Sequence, residues 1–469
     1  MTQSQQAETY NLSRIILLSL TAALGGFLFG FDSGVINGTV EALQVSFNSD
    51  AVGTGFNVAS MLLGCAAGAF FAGTLADKFG RKPVLLLTAA MFILSAWGSG
   101  ISASSSQFVL FRVIGGLAVG AASILTPAYI SEIAPSGIRG RLATLQQLMI
   151  VIGLFMAFLS NYMIAGAAGG ALGSFWGGFQ GWQWMFWVEI LPASLFLFGL
   201  MFIPESPRYL VAVGKEEKAA SVLSGLGSNR FMEKVAEIKQ SLRKDEKPGL
   251  GALVSQKGGL HPVVWVGIGL AVLQQFTGIN VVFYYGSTLW QAAGFTEENA
   301  LLQNVISGTV NVSFTFLAIM LIDKVGRKPL LMIGALGQAV MLGALALLFG
   351  TGTLTDDGNL LLSDTNGLLA LISANTYIAF FAFTWGPIMW VMLGEMFPNR
   401  IRGAALGLCG LIHWTSNFSI TMTFPILLAS VGLSVSYGIY AFFGFVAFFF
   451  VKNLLQETKG RSLEDMNEG

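Results

Sequence analysis

Charge is what this sequence has least of. Asp, Glu, Lys and Arg make up 11% of its 469 residues, and 25 cations balance 25 anions to a net charge of zero. That balance leaves no basic patch for nucleic acid. Cysteine is scarce as well: Cys65 and Cys409 both sit in apolar stretches, so no disulfide framework is expected and both read as small core residues. Only two histidines are present, His261 and His413, with no Cys-His grouping, which argues against a metal site or a hydrolase. Alternation of apolar and polar residues with period two is missing too, which argues against a membrane barrel.

What fills the chain instead is apolar: 54% of the residues are hydrophobic, and the mean hydropathy is +0.69, far outside the range of a soluble domain. Runs of about 20 apolar residues, enough to cross a bilayer, recur between short polar connections. Twelve such spans begin near residues 14, 52, 83, 107, 143, 184, 262, 299, 329, 369, 402 and 432. In lipid only hydrogen bonding within each run satisfies its backbone, so the fold class is an all-α membrane protein of twelve transmembrane helices. The N-terminus lacks a basic start and a convincing cleavage site, so the first span is expected to stay in the protein.

Twenty-four of the 25 Lys and Arg fall before span 1, in alternate connections, or after span 12. By the positive-inside rule that face is cytoplasmic, with both termini on it, as expected for a multi-pass protein of the plasma (inner) membrane. The remaining cation, Arg112, lies inside span 4. The expected organisation is a six-helix bundle over residues 1–203, a cytosolic linker over 204–260, a second six-helix bundle over 261–453 and a cytosolic tail over 454–469. In the linker, Val222, Leu223, Leu226, Phe231, Val235, Ile238 and Leu242 recur at helical spacing, which predicts short amphipathic helices. A latch role and a plain solvated linker are equally open for them.

Motifs repeat between the halves. Gly73-Thr-Leu-Ala-Asp77-Lys-Phe-Gly80-Arg81-Lys82 after span 2 answers to Asp323-Lys-Val-Gly326-Arg327-Lys328 after span 8. Glu132 and Arg139 answer to Glu395 and Arg402, and Glu205 answers to Glu457. The offsets are 246 (Asp77 to Asp323), 263 (Glu132 to Glu395) and 252 residues (Glu205 to Glu457), which marks a duplicated six-span unit. Two bundles with a site near the midplane suit alternating access. Asp77, Arg81, Glu132, Arg139, Glu205, Asp323, Arg327, Glu395, Arg402 and Glu457 then read as a gate at the cytoplasmic helix ends, against the plainer reading that they set topology and solvate those ends.

An ionisable group at depth costs about 2.5–3.5 kcal/mol on insertion scales and marks function by default. Asp32 lies about 27 Å along span 1 from Arg14, and Arg112 about 30 Å along span 4 from Glu132. The depths match within a turn, so an Asp32–Arg112 pair is expected. A carboxylate beside a guanidinium favours its anion, and one left alone in an apolar cavity favours its acid. Separating and rejoining the pair would bind and release one proton, unless the pair is a static bridge between spans 1 and 4. Glu189 in span 6 is a second acid at depth, with structural and relay roles equally open. Uncharged polar residues also sit at depth: Gln146 and Gln147 in span 5, Gln274, Gln275, Asn280 and Tyr284 in span 7, Asn311 in span 8, and His413, Trp414 and Asn417 in span 11. Amides supply the paired donors and acceptors that sugar hydroxyls need, and Trp390 and Trp414 supply flat apolar faces. Alternatively such amides join helices to one another. Breaks are expected at Thr277-Gly278 and Gly386-Pro387. With no second cation in the spans an anionic ligand lacks a counter-charge, which leaves a neutral sugar or polyol.

At these residues the chain resembles the sugar porter family of the major facilitator superfamily over nearly its whole length. The resemblance is carried by the two Gly-Arg-Lys turns, Arg112-x-x-Gly115-Gly116, Pro204-Glu-Ser-Pro-Arg208, Gln274-Gln275-x-x-Gly278-Ile-Asn280, Gly386-Pro387-x-x-Trp390 and the terminal Glu457-Thr-Lys-Gly-Arg-Ser-Leu-Glu464. It implies the fold of that superfamily and sugar transport without a cofactor. It also implies sugar contacts at Gln147, Gln274, Gln275, Asn280, Tyr284, Asn311, Trp390 and Trp414, to which Phe29 and His413 are added as candidates. The family's xylose and plant hexose proton symporters carry an acid where Asp32 stands, and its human glucose facilitators a neutral residue, which implies symport here. Leu154 and Phe283 are closer to the glucose facilitators and tilt the expectation toward a hexose. His413 stands where relatives carry Gln or Asn, Gln183 where an arginine is often seen, and Gln456 where proline is usual. The expected protein is a proton-coupled importer of glucose or a related hexose, acting as a monomer, with a monosaccharide, a proton and the bilayer as its partners. A facilitator with a structural Asp32, a polyol or pentose symporter, and a sugar sensor are the alternatives.

Overall fold

A computed structural model describes residues 9–244, 250–254, 258–354, 360–398 and 400–459. Among the described residues, eleven helices are long and apolar enough to cross a membrane: Leu12–Gly38, Ala51–Phe79, Arg81–Ile101, Ser105–Ile133, Thr144–Ala168, Gly181–Phe202, Pro262–Ala292, Glu297–Val325, Arg327–Gly350, Asp364–Met396 and Arg402–Leu454. The last runs 53 residues, about 80 Å at 1.5 Å per residue, too long for one crossing. It breaks at Gly432 (φ 75°, ψ 179°), which makes it spans 11 and 12. The helices start where short polar side chains take up free backbone N–H groups: Asn11 accepts from Arg14, Asp50 from Gly53, Thr296 from Asn299 and Ser363 from Asn366.

Lipid provides no hydrophobic drive between helices, so close approach of small residues does the packing. Spans 2 and 4 cross where a Cβ on Gly116 would lie 1.9 Å from the Met61 carbonyl, and spans 1 and 5 where a Cβ on Gly153 would lie 2.0 Å from the Phe27 carbonyl. The two halves meet along spans 2 and 11 and along spans 5 and 8. Between them the chain forms the helices Pro207–Ala212, Glu216–Gly225 and Phe231–Lys244. Leu210, Val211, Ala219, Leu223 and Val235 make a small core of their own, joined by Phe231, Ile238 and Leu242. A hairpin of two-residue strands, Thr353–Leu354 and Leu360–Leu361, follows span 9.

Span 7 breaks at Thr277-Gly278, as the sequence predicts: Gly278 takes φ +80°, and the Tyr377 hydroxyl donates to the freed Thr277 carbonyl at 2.8 Å. The break in span 10 falls two residues earlier than the predicted Gly386-Pro387, at Thr384 (φ −130°, ψ −91°). Proline has no N–H to donate, and the first turn of a helix needs none there, so the helix restarts at Trp385 with Pro387 in its first turn.

Candidate functional site

Asp32 lies near the end of span 1 remote from the charged motifs, and Arg112 of span 4 reaches it. The Arg112 Nη1 donates to Asp32 Oδ1, and its Nη2 to the Asp32 backbone carbonyl at 3.3 Å. Both residues are 1% exposed. The Arg112 guanidinium also stands over the Phe186 ring at 5.7 Å, which helps to hold a cation in so dry a place. Glu189, also 1% exposed, occupies the gap between the helices Gly181–Trp187 and Ile190–Phe202, beside Asp32. Its carboxyl lies within hydrogen-bonding reach of the Asp32 carboxyl. Two carboxyl groups thus share the surroundings of one guanidinium.

A second polar cluster forms where span 7 breaks. Gln274 donates to the Trp385 carbonyl at 2.7 Å, so each broken helix helps to satisfy the other. The Gln275 amide nitrogen lies 3.2 Å from Gln274 Oε1 and 3.2–3.3 Å from the His413 ring nitrogens, and Asn280 donates to Gln275 Oε1. The His413 ring packs against Trp390 (4.9 Å between centroids) and Trp414 (5.5 Å). Phe29 of span 1 meets Trp414 at 5.7 Å, which brings the N-terminal half onto this cluster. Tyr284 accepts from Asn417 at 3.4 Å. Trp390 is 39% exposed, so its ring is free on one side. Gln147 is half-buried on span 5 and Asn311 buried on span 8. Neither makes a side-chain hydrogen bond to the cluster. A largely apolar groove of about 570 Å³ lined by Trp97, Trp184, Trp187, Ile190, Leu191 and Ser194 lies apart from both clusters and holds no charged side chain.

The charged end carries two matching clamps. Arg81 pairs with Glu132 (3.0 Å) and Asp77 (3.2 Å), and its backbone N–H donates to Glu205 (2.9 Å). Arg327 pairs with Glu395 (2.9 Å) and Asp323 (3.0 Å), and its N–H donates to Glu457 (3.1 Å). Glycine precedes each arginine, at φ +103° and +106°, which turns the helix N-terminus onto the carboxylate. At Glu457 burial opposes the anion, but N–H groups of Lys459, Arg327, Lys328 and Thr458 outweigh it and hold the carboxyl below its usual range. Each of these ion pairs stays within one half. Arg402 donates to the Phe397 carbonyl at 3.0 Å and has no carboxylate partner among the described residues. The Arg139 side chain and the terminal motif beyond Lys459 lie outside the described residues.

The opposite end is bridged across the halves by a residue that sequence reasoning missed. Asn37, 1% exposed, donates to the Phe283 carbonyl at 2.8 Å, and its Oδ1 accepts from the Ser287 N–H (2.9 Å) and Asn304 (2.6 Å). Glu297 adds a bond to the Ala171 N–H at 2.7 Å. An asparagine at the end of a span reads as a cap, and only its partners some 250 residues away distinguish it.

The chain matches the family described as "Sugar (and other) transporter" over residues 18–469. It is 49% identical over 464 residues to the glucose transport protein of Synechocystis sp., covering 99% of each chain. It is 39% identical to the D-xylose-proton symporter of Escherichia coli, covering 97% of this chain and 96% of that one. Among solved structures it is similar to a partially occluded, inward-open conformation of the E. coli xylose transporter, with a TM-score of 0.82 at 38% identity over 96% of this chain and 100% of the other.

Proposed function

This chain belongs to the sugar transporter family of the major facilitator superfamily, as a transporter and not an enzyme, and from that premise we propose that it imports glucose or a related hexose with one proton. The observation that carries the coupling is the buried cluster of Asp32, Arg112 and Glu189, with two acids on one guanidinium in the half that also offers Phe29 to the sugar cluster. Gln147, Gln274, Gln275, Asn280, Tyr284, Asn311 and His413 supply hydroxyl partners, and Phe29, Trp390 and Trp414 the apolar faces. The charged end is cytoplasmic under the positive-inside rule, with both termini there and the plasma membrane as the site of action.

In this conformation the far end is bridged by Asn37, while the ion pairs at the charged end among the described residues each stay within one half. We read that arrangement as the one open toward the cytoplasm, in keeping with the likeness to an inward-open xylose transporter. Rocking the halves about the spans 2–11 and 5–8 contacts would part Asn37 from span 7 and open the other side. Asp32 takes its proton on the outward-open side while free of Arg112, sugar binds, the halves close behind it, and Arg112 then returns to Asp32 and expels the proton inward. One proton crossing about 100 mV supplies about 2.3 kcal/mol, enough for a roughly 40-fold sugar gradient. The protein works as a monomer, each chain holding the whole cluster and both gates.

The test is the external pH of a lightly buffered suspension of de-energised cells on adding glucose, galactose or xylose. Sugar-dependent alkalinisation is the expected result and ranks the substrates. Equilibration of radiolabelled sugar without a pH change would make the protein a facilitator with a structural Asp32.

A further inference from the structure

We propose that Glu41 is an acid-operated catch on the outer gate: a proton taken from the external medium removes its repulsion from Glu297 across the two halves and holds the far end shut. The proposal goes beyond the transport reading and stands whether or not sugar moves with a proton.

Glu41 lies on the short helix Val40–Ser46, which follows span 1 in the N-terminal half, and part of its surface is open to water. Its side chain is hydrogen-bonded to Gln291 at the end of span 7, in the other half. Gln291 donates in turn to Ser287 Oγ at 3.1 Å, and the Ser287 N–H donates to Asn37 at 2.9 Å. Glu41 therefore ends a chain of contacts that includes the Asn37 bridge. Glu297, at the start of span 8, is held at the same seam because its carboxylate accepts from the Ala171 N–H at 2.7 Å. Gly170 takes φ +119°, and a Cβ there would lie 2.9 Å from Glu297 Oε2, so the turn after span 5 closes on this carboxylate. Shutting the far end thus brings two carboxyl groups from opposite halves toward each other.

No cation offsets their repulsion. Lys, Arg and His are all missing from residues 15–77, 142–207 and 262–323, the stretches that supply Glu41, Ala171, Gln291 and Glu297. The other described acids on the outer ends of the spans are Asp50, Glu298 and Asp364, and Glu297 is the one whose charge acts on Glu41. Burial in the closed seam pushes the Glu41 carboxyl up, the Gln291 bond opposes that, and the Glu297 charge adds to it, for a net rise above its usual range. The closed state therefore binds this proton more tightly than a state in which the halves have parted. It gains on the open state as external pH falls, and the gain is lost as pH rises through the raised value. An amide can donate to a carboxylate or accept from a carboxylic acid, so the Gln291 contact survives protonation while the repulsion does not. Because the site meets water, screening keeps the effect small and makes it salt-dependent.

The test uses the full chain in proteoliposomes with Asp32→Asn, which takes the proposed coupling site out of the pH response. Spin labels on Val52→Cys and Leu368→Cys, exposed at the outer ends of spans 2 and 10, report the separation of the halves by pulsed EPR. Lowering the pH from about 7.5 to about 5 is expected to reduce the outward-open population about threefold, and by less in about 1 M salt. Glu41→Gln, which copies the protonated acid, is expected to hold the low population at both pH values. Glu297→Gln removes the opposing charge and is expected to shrink the pH step to less than about 1.5-fold. A step of the opposite sign, no step, or a full step surviving in Glu41→Gln overturns the proposal. Should Glu41→Gln not fold, Glu297→Gln decides by the same comparison. Proton movement with sugar is no part of this readout, so a protein that proves to be a facilitator overturns the symport reading and leaves the catch in place.

Discussion

Asp32, at 1% exposure in a span of apolar neighbours, is tolerated because Arg112 meets it, and the match of depths along spans 1 and 4 made that partner legible in the sequence. Under the proposed mechanism this carboxylate carries the coupled proton, so Asp32→Asn is expected to lower the accumulation ratio of radiolabelled glucose from roughly 40 to about 1 while counterflow persists. A variant that still concentrates sugar would remove Asp32 from the coupling. In the polar cluster proposed to bind sugar, Gln275 has hydrogen-bond contacts with Gln274, His413 and Asn280. Gln275→Ala is expected to raise the KM for glucose about tenfold, with a smaller effect on the maximal rate. Glu189 was legible as an acid at depth, but its place beside Asp32 was not: it depends on the turn between two short helices, which no periodicity within span 6 reveals.

Among elements, the tight turns before spans 3 and 9 show how a repeated motif works. Gly80 and Gly326 share a positive φ, and a Cβ on either would strike a carboxylate, Glu205 at 2.3 Å or Glu457 at 2.8 Å. Gly80→Ala and Gly326→Ala are each expected to cost about 2 kcal/mol, from left-handed strain and the displaced carboxylate, read as a lower melting temperature in detergent micelles. The Glu457 carboxyl is held below its usual range, so its contribution is present above the unfolded value and is lost as pH falls through the folded one. Melting temperature is therefore expected to be insensitive to this group above about pH 5 and to fall below about pH 4, with Glu457→Gln flattening that acid limb. The Gly-Arg-Lys turns and their spacing were plain in the sequence. The break in span 10 was misplaced by two residues because a glycine-proline pair marks a helix boundary only within a turn, and Pro387 sits inside the new helix rather than at the gap.

For the whole molecule the question is which side is open. Asn37 ties span 1 to spans 7 and 8 by three buried hydrogen bonds. Removing them is expected to shift the population toward the outward-open state by about 10- to 100-fold, roughly 1.4–2.7 kcal/mol. The measurement is labelling of Tyr284→Cys by an impermeant maleimide added from outside, in the presence and absence of Asn37→Ala. The native Cys65 and Cys409 are 0% exposed and stay silent. Unchanged labelling would show that the latch lies elsewhere.

By itself the sequence determined the number of spans, the duplicated halves, the polar residues at depth and the family, because each depends on local hydropathy or on short motifs whose spacing is fixed by helix geometry. Tertiary structure alone decided that Arg81 and Arg327 clamp within their own halves and that Asn37 bridges them. Those outcomes turn on which faces of helices tens to hundreds of residues apart come together, and that is set by the packing of small residues across crossings rather than by any pattern along one span.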